Sequence, residues 1–340
     1  MTQPLVVVDA DVLGRERTGD ETYVRNLLRE LPPHAAAAGL AVAAVTRRPE
    51  LVPAGVRPVE LRTRSQELRM LWTLPRLLRR LGAALVHTQY ALPPGLRCPG
   101  VVTIHDLSFE RHAGLMGRRD RLVFRAVVPR AARRAACVLT VSERSKRDLV
   151  DLYGLPPAKV VVTPNGVDPV FRPGPPGARD YLLAVGAVQE RKNQLAALAA
   201  AREVGLPLVV AGPAKDAALA ERLRGEGARL EGYVTTERLA ELYRGAACLI
   251  QASRYEGFGL PVLEAMACGT PVVAAPDPAL VEVAGGAAVV VEEAQLAEGV
   301  RRALRERERL VEAGLQRARA FSWAETARRT VEAYREVLAA

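Results

Sequence analysis

Short runs of Val, Leu and Ala alternate with helix-length amphipathic stretches along all 340 residues. This is the pattern of repeated βα units, whose parallel strands are buried on both faces. In the first half the spacing predicts strands at Leu5–Asp9, Leu40–Val45, Ala84–His87, Val101–His105, Cys137–Val141 and Val160–Thr163. Helices are expected near Asp20–Leu31, Glu67–Leu81, Arg118–Ala135 and Ser142–Tyr153, the last with Ser142 as N-cap and Gly154 just past its end. The rhythm then breaks over residues 164–178, where PNGVDPVFRPGPPGA is dense in Pro and Gly and has no apolar period.

Beyond that break the rhythm restarts. Strands are expected at Tyr181–Val185, Leu208–Ala211, Arg229–Tyr233, Cys248–Gln251 and Pro271–Ala274, with helices near Lys192–Val204, Asp216–Arg224, Thr236–Arg244 and Leu260–Ala267. Two helices end the chain, the second opened by a capping box, Ser322-Trp-Ala-Glu325. The expected architecture is two doubly wound parallel-sheet domains, over 1–165 and 179–322, joined by a linker at 166–178. A last helix over 323–340 would cross back to the first domain. Such sheets bind ligands outside the carboxyl ends of their strands, so two of them are expected to face each other across a cleft.

Composition excludes several classes. With 49% hydrophobic and 25% charged residues the chain is a folded globular one. No apolar run approaches the ~18 residues of a membrane span, and Met1 leads almost directly into Leu5–Asp9 without the pattern of a secretory signal. A cytoplasmic location is expected. Cys98, Cys137, Cys248 and Cys268 form no CxxC and have no His at ligand spacing, so they read as core residues.

The formal charge of +10 is one-sided, because residues 1–170 hold 26 Lys and Arg against 16 Asp and Glu. Six arginines (62, 64, 69, 76, 79, 80) are interleaved with Leu68, Met70, Leu71, Trp72, Leu74, Leu77 and Leu78, and residues 118–134 add seven more. These segments fit either solvated faces of helices packed on the sheet or a peripheral contact with an anionic membrane at its inner face. No nucleic-acid-binding motif accompanies the charge, and no nucleic-acid partner is expected.

Three motifs carry chemistry. In Ser253-Arg-Tyr-Glu256-Gly257-Phe258-Gly259-Leu260-Pro-Val-Leu-Glu264, a strand ends, a Gly-Phe-Gly turn follows and a helix begins. The turn and first helical amides offer unpaired N–H donors at the positive end of a helix dipole, suited to phosphate or sugar oxygens. Glu264 lies among apolar neighbours and needs partners, for which paired ribose hydroxyls are suitable. In Gly186-Ala-Val-Gln-Glu-Arg191-Lys192-Asn193, two cations stand at the mouth of a helix. That placement opposes the dipole unless an anion such as a diphosphate is bound there. In Val101-Val-Thr-Ile-His105-Asp106, a strand delivers His105 to the site edge.

Together with Val141-Ser-Glu-Arg-Ser, Pro164-Asn-Gly-Val-Asp168 and Gly232-Tyr-Val234, these motifs resemble glycosyltransferase family 4, mannosyltransferase-type members in particular. The resemblance implies the GT-B fold of two Rossmann-like domains, the first binding acceptor and the second the nucleotide-sugar donor. It further implies that Arg191 and Lys192 hold the donor diphosphate, that Glu264 holds the ribose, and that Val234 lies beside the base. Glu256 and the Gly257–Gly259 amides would contact the transferred sugar, with Gly186 and Leu260 in the same site. Gly19, Tyr23, His105 and Asp106 would lie on the acceptor side. Many members carry Thr-Gly-Ile-Gly-Arg-Tyr in the first loop, whereas this chain has Thr18-Gly-Asp-Glu21-Thr-Tyr23, which removes the second glycine.

The implied reaction is hexose transfer, mannose favoured, from GDP-mannose or a UDP-sugar to an acceptor hydroxyl of a glycan or lipid-linked acceptor, with retention. His105, Arg191, Lys192 and Glu256 would act at the reacting centre. No further cofactor and no metal site is expected. Asp9-Ala-Asp11 spells a metal-diphosphate motif, but it lies on the first strand, away from the donor half. An epimerase or phosphorylase of the same architecture, or a non-catalytic basic surface-binding protein, are the competing readings.

Overall fold

The structure is a computed structural model and describes residues 3–15, 18–111, 118–175 and 177–340. The chain divides into two compact units. The first comprises residues 1–107, 118–166 and 323–340, and the second 108–117 and 167–322. Each unit holds one fully parallel sheet with helices between its strands. The GT-B class expected from the motifs is the fold observed.

In the first unit the strands are β1 (Leu5–Asp9), β2 (Ala41–Thr46), β3 (Arg57–Glu60), β4 (Leu85–Gln89), β5 (Gly100–Thr103), β6 (Cys137–Thr140) and β7 (Val160–Val162), ordered β3-β2-β1-β4-β5-β6-β7. The second unit carries β8 (Leu182–Val185), β9 (Leu208–Ala211), β10 (Arg229–Gly232), β11 (Cys248–Gln251), β12 (Val272–Ala274) and β13 (Val289–Val290), ordered β10-β9-β8-β11-β12-β13. The order reverses direction between β1 and β4 and between β8 and β11, the points where such sheets open a ligand crevice. Central strands are Val-, Leu- and Ala-rich and wholly buried because helices cover both faces. The edge strand β3, Arg-Pro-Val-Glu, is mostly exposed and has no apolar run by which a sequence reading could find it.

Helix ends follow the expected chemistry. Ser142 accepts the Ser145 amide at the start of Glu143–Tyr153, and Gly154 ends it in left-handed backbone. The helical stretch from Gln66 to Leu81 contains a π turn at Arg69–Thr73 and restarts with Pro75 in its first turn. The expectation that Arg69 is one of a set of solvated or headgroup-binding arginines is corrected here. Its side chain is buried, ion-paired to Asp9 and 3.7 Å from Asp11. Arg15 and Arg47 also pair with Asp11, so the Asp9-Ala-Asp11 carboxylates are engaged by guanidinium groups.

The described residues of 167–178 belong to the second unit. Phe171 is buried with its ring 5.8 Å from Tyr243, and the Arg179 amide donates to the Gly245 carbonyl at 3.0 Å. The helix Trp323–Ala339 belongs to the first unit, where Tyr334 Oη meets His87 Nδ1 at 2.6 Å.

At the carboxyl ends of β8 and β9, two glycine backbones touch. A Cβ on Gly212, whose φ is +149°, would collide with the Gly186 carbonyl. Gly212→Ala is therefore expected to destabilise the protein by about 3 kcal/mol, since neither backbone has a flexible end that could yield. Urea unfolding of the purified variant checks this.

Candidate donor and acceptor sites

The second unit gathers the expected donor residues. β8 ends at Val185, and Gly186 follows with φ +132°. A Cβ there would lie 3.2 Å from Lys192 Cε, so a glycine lets the lysine stem pass. Arg191 and Lys192 stand in a short 3-10 turn, Glu190–Lys192, ahead of the helix Gln194–Val204. An anion inside the chain already faces this pair. Lys192 Nζ donates to Glu256 Oε1 at 2.5 Å, and Arg191 Nη1 to Glu256 Oε2 at 3.3 Å and to the Tyr255 carbonyl at 2.9 Å.

Glu256 is 6% exposed. Burial alone would raise its carboxyl, but the Lys192 and Arg191 charges outweigh burial and hold it down at about 2. Gln251, the last residue of β11, donates to Glu256 Oε1 at 2.6 Å and to Ser253 Oγ at 3.0 Å. One carboxylate thereby organises two cations and a strand end.

The Gly-Phe-Gly turn follows. Gly259 caps the helix Leu260–Ala267 in left-handed backbone at φ +109°, and a Cβ there would come 2.8 Å from Leu280. Phe258 is buried, its ring 6.0 Å from Phe321, and it anchors the turn. Glu264, inside the helix, is 8% exposed and accepts from Tyr243 Oη at 2.8 Å. Burial pushes its carboxyl up to about 7, with the Asp168 charge adding to the rise and the Tyr243 hydrogen bond opposing it. Val234 is half-buried in the turn between β10 and the helix Thr236–Gly245.

These two acids act on stability with opposite signs. Glu264 holds its proton more tightly folded than at the ordinary 4.5, so its contribution is full below pH 4.5 and is lost as pH rises through about 7. Glu256 is depressed, so its contribution is present above pH 4.5 and is lost as pH falls toward about 2.

In the first unit His105 lies two residues past the end of β5 and is buried. Its Nε2 donates to Gln89 Oε1 at 2.9 Å and lies 3.9 Å from Asp20 Oδ1. Burial lowers its basicity, which the Asp20 and Asp106 charges partly restore. The Tyr23 ring packs edge-on against it at 4.7 Å. Tyr23 itself is buried, with Oη 3.0 Å from Thr103 Oγ1. Asp106 is half-buried. Gly19 lies in the first turn of the helix Thr18–Ala37 with open space where a Cβ would be. Glu21 accepts the Gly14 amide at 2.9 Å and Arg25 Nη2 at 2.6 Å, which ties the first loop to the helix where a second glycine is missing.

Sequence reasoning missed Gln89, Gln251 and Tyr243. The two glutamines end β4 and β11, the strands just past the reversal in each sheet, and each fixes a site residue. A polar residue closing an otherwise apolar strand was the available signal.

Two fully parallel doubly wound sheets are the GT-B architecture of glycosyltransferases, and the second sheet carries the Arg191–Lys192 pair and Glu256 just beyond its strand ends, with Glu264 in the helix that follows. Residues 17–171 match the family model described as Glycosyltransferase Family 4, and residues 170–318 that described as Glycosyl transferases group 1. The chain is 30% identical to the O-antigen chain mannosyltransferase B of Escherichia coli, over 69% of this chain and 70% of that one. It is 33% identical to the D-inositol 3-phosphate glycosyltransferase of Frankia alni, over 76% of this chain and 70% of the other. A solved structure of Anabaena HepE in complex with UDP and glucose superposes with a TM-score of 0.73 at 15% identity, covering 98% of this chain and 99% of that one. The chain belongs to glycosyltransferase family 4.

Proposed function

We propose that this glycosyltransferase moves a hexose, mannose favoured, from a nucleotide diphosphate sugar to an acceptor hydroxyl with retention, in glycan or glycolipid synthesis. The observation that carries the reading is the buried Lys192–Glu256–Arg191 cluster beside the Gly257–Gly259 turn. Glu256 holds both cations in place, so their charge is preorganised for a leaving diphosphate and needs no reorganisation in the transition state. The name of the Escherichia coli relative supports mannose, and the HepE complex supports a nucleoside diphosphate as the leaving group. Ionised Glu264 would accept the ribose hydroxyls. His105, with Nε2 held by Gln89, would lie on the acceptor side within the first unit.

A thermal-shift screen against GDP-, UDP-, ADP- and dTDP-sugars tests the reading, since a ligand at a hundred times its Kd stabilises by about 2.7 kcal/mol. One nucleotide class should raise Tm, and turnover of that donor should survive EDTA. No shift with any of the four, or turnover that depends on added Mn²⁺ or Mg²⁺, contradicts it.

Glu264 makes donor binding pH-dependent. Its carboxyl must ionise to accept two hydroxyls, so nucleotide affinity should climb from pH 6 to pH 8 around the value of about 7, with proton release on binding. Calorimetry in buffers of different ionisation enthalpy reads both effects.

A second reading concerns where the acceptor lies. Leu68, Leu71 and Trp72 are 55–56% exposed, with Arg76 stacked 4.3 Å over the Trp72 ring, and Leu122 is 70% exposed. Among the described residues no helix is long and apolar enough to cross a membrane. Exposed apolar groups beside arginines favour peripheral contact with an anionic lipid surface. Salt-sensitive flotation with phosphatidylglycerol vesicles is expected, and its absence would favour a soluble acceptor.

A further inference from the structure

Five buried polar side chains of the first unit, Tyr334, His87, Thr103, Tyr23 and Thr330, join into one hydrogen-bonded chain that the donor chemistry does not use. His87, in the middle of β4, has Nδ1 2.6 Å from Tyr334 Oη and Nε2 2.7 Å from Oγ1 of Thr103, the last residue of β5. Thr103 Oγ1 lies 3.0 Å from Tyr23 Oη, and Tyr23 shares a side-chain hydrogen bond with Thr330. Thr330 Oγ1 donates to the Thr326 carbonyl at 2.7 Å. The chain leaves the helix Trp323–Ala339 at Tyr334 and returns to it one turn away, at Thr330.

Proton counting gives the chain a direction. Among the described residues Tyr334 Oη has no hydrogen-bond partner but His87 Nδ1, and a buried hydroxyl left without an acceptor is costly. Tyr334 therefore donates to Nδ1, which leaves the ring proton on Nε2 to donate to Thr103 Oγ1. The Thr103 proton then goes to Tyr23 Oη, the Tyr23 proton to Thr330 Oγ1 and the Thr330 proton to the Thr326 carbonyl. Every proton finds one acceptor, and bonds aligned head to tail strengthen one another. The order requires a neutral imidazole, since a charged one would donate from both nitrogens. Burial keeps the ring neutral, with its pKa down at about 3, and the nearby His105 acts in the same direction.

The Tyr23 ring, held by its hydroxyl, stands edge-on to His105 with ring centres 4.7 Å apart. The helix Trp323–Ala339 already buries Trp323, Ala327, Val331 and Ala333, so docking it does not call for a polar chain. A fully satisfied polar chain adds a unique placement. We propose that this helix positions the acceptor side of the first unit: Tyr334 and Thr330, through His87 and Thr103, fix Tyr23 as the wall against which His105 is set. The part His105 plays in transfer rests on the reading above; its placement by this chain does not.

Nitrogen-15 NMR of the imidazole rings tests the placement, because the sequence has only four histidines and single His→Gln variants assign them. Tyr334→Phe removes one oxygen and keeps the ring that packs 5.6 Å from His87. Wild-type His87 should show the neutral Nε2–H tautomer at pH 6. In Tyr334→Phe that signal should shift, and the His105 ring signals should move with it. Release of nucleoside diphosphate from GDP-mannose or UDP-glucose should fall about tenfold in kcat, the scale of a misplaced group near the reacting centre. The donor KM should stay unchanged, since Arg191, Lys192 and Glu264 lie in the other unit. His87→Gln, whose amide offers an acceptor and a donor side by side, should keep most of the kcat that His87→Leu loses. All readings are taken below the melting transition of each variant, so they report folded protein. Wild-type His105 signals or undiminished kcat in Tyr334→Phe, an Nδ1–H tautomer in the wild type, or equal kcat in the two His87 variants would each overturn the proposal. If neither sugar nucleotide is turned over, the transfer reading fails and the His105 ring signals alone decide the placement.

Discussion

Lys192→Met is expected to lower kcat by about 10²-fold or more, because developing charge on a leaving diphosphate in a dry site is where a fixed cation contributes most. The same change removes one partner of a buried ion pair. Glu256 would remain 6% exposed with only Arg191 opposite it, and losing one partner of such a pair costs about 3–5 kcal/mol. A fall in activity could then reflect unfolding. The double variant Lys192→Met/Glu256→Gln separates the two effects, since it removes both charges and keeps the shape. Its stability in urea should recover most of the loss while kcat stays low. Recovery of both would show that Lys192 serves only to neutralise Glu256.

Glu264→Gln should weaken nucleotide binding by about 1–3 kcal/mol, the range for losing an ionised hydrogen-bonding partner. The amide can still accept from Tyr243 Oη, so the helix Leu260–Ala267 should keep its packing. The second signature is the pH profile. Wild-type affinity rises through about 7, whereas the glutamine variant has nothing to ionise there and should be flat from pH 6 to pH 8. Equal affinity in both proteins, measured by calorimetry at pH 8, would take Glu264 out of the site.

How much of this was legible in the sequence follows from what was local. Strands Leu5–Asp9, Leu208–Ala211 and Cys248–Gln251 and the helix Leu260–Ala267 lie where the apolar runs and their Gly and Pro boundaries place them. The strands left unread are β3, an exposed edge with two charged ends, and β13, only two residues inside a longer apolar run. The short helix Pro278–Ala284 was legible in principle, with Asp277 accepting two amides and Pro278 at its first position, yet its length gives no period to detect.

The site divides the same way. Glu256, Glu264, Arg191 and Lys192 stand out through spacing against a turn or a helix start. Their pairing does not, because Glu256 lies 65 residues beyond Arg191 and the two meet only once β8 and β11 are adjacent. The dipole argument pointed to an anion beside the basic pair, and local sequence could not show that Glu256 supplies one inside the chain. Gln89, Gln251 and Tyr243 were invisible for the same reason, since each is an ordinary residue in its own segment.

The central claim is that Arg191 and Lys192, preset by Glu256, read the diphosphate of the donor. It is tested most directly by comparing the affinities of the cognate nucleoside diphosphate and monophosphate for the wild type and for Lys192→Met/Glu256→Gln. The account predicts a wild-type preference for the diphosphate of about tenfold or more, one charge-assisted contact, and its disappearance in the double variant. A preference that is undiminished in that variant would contradict it.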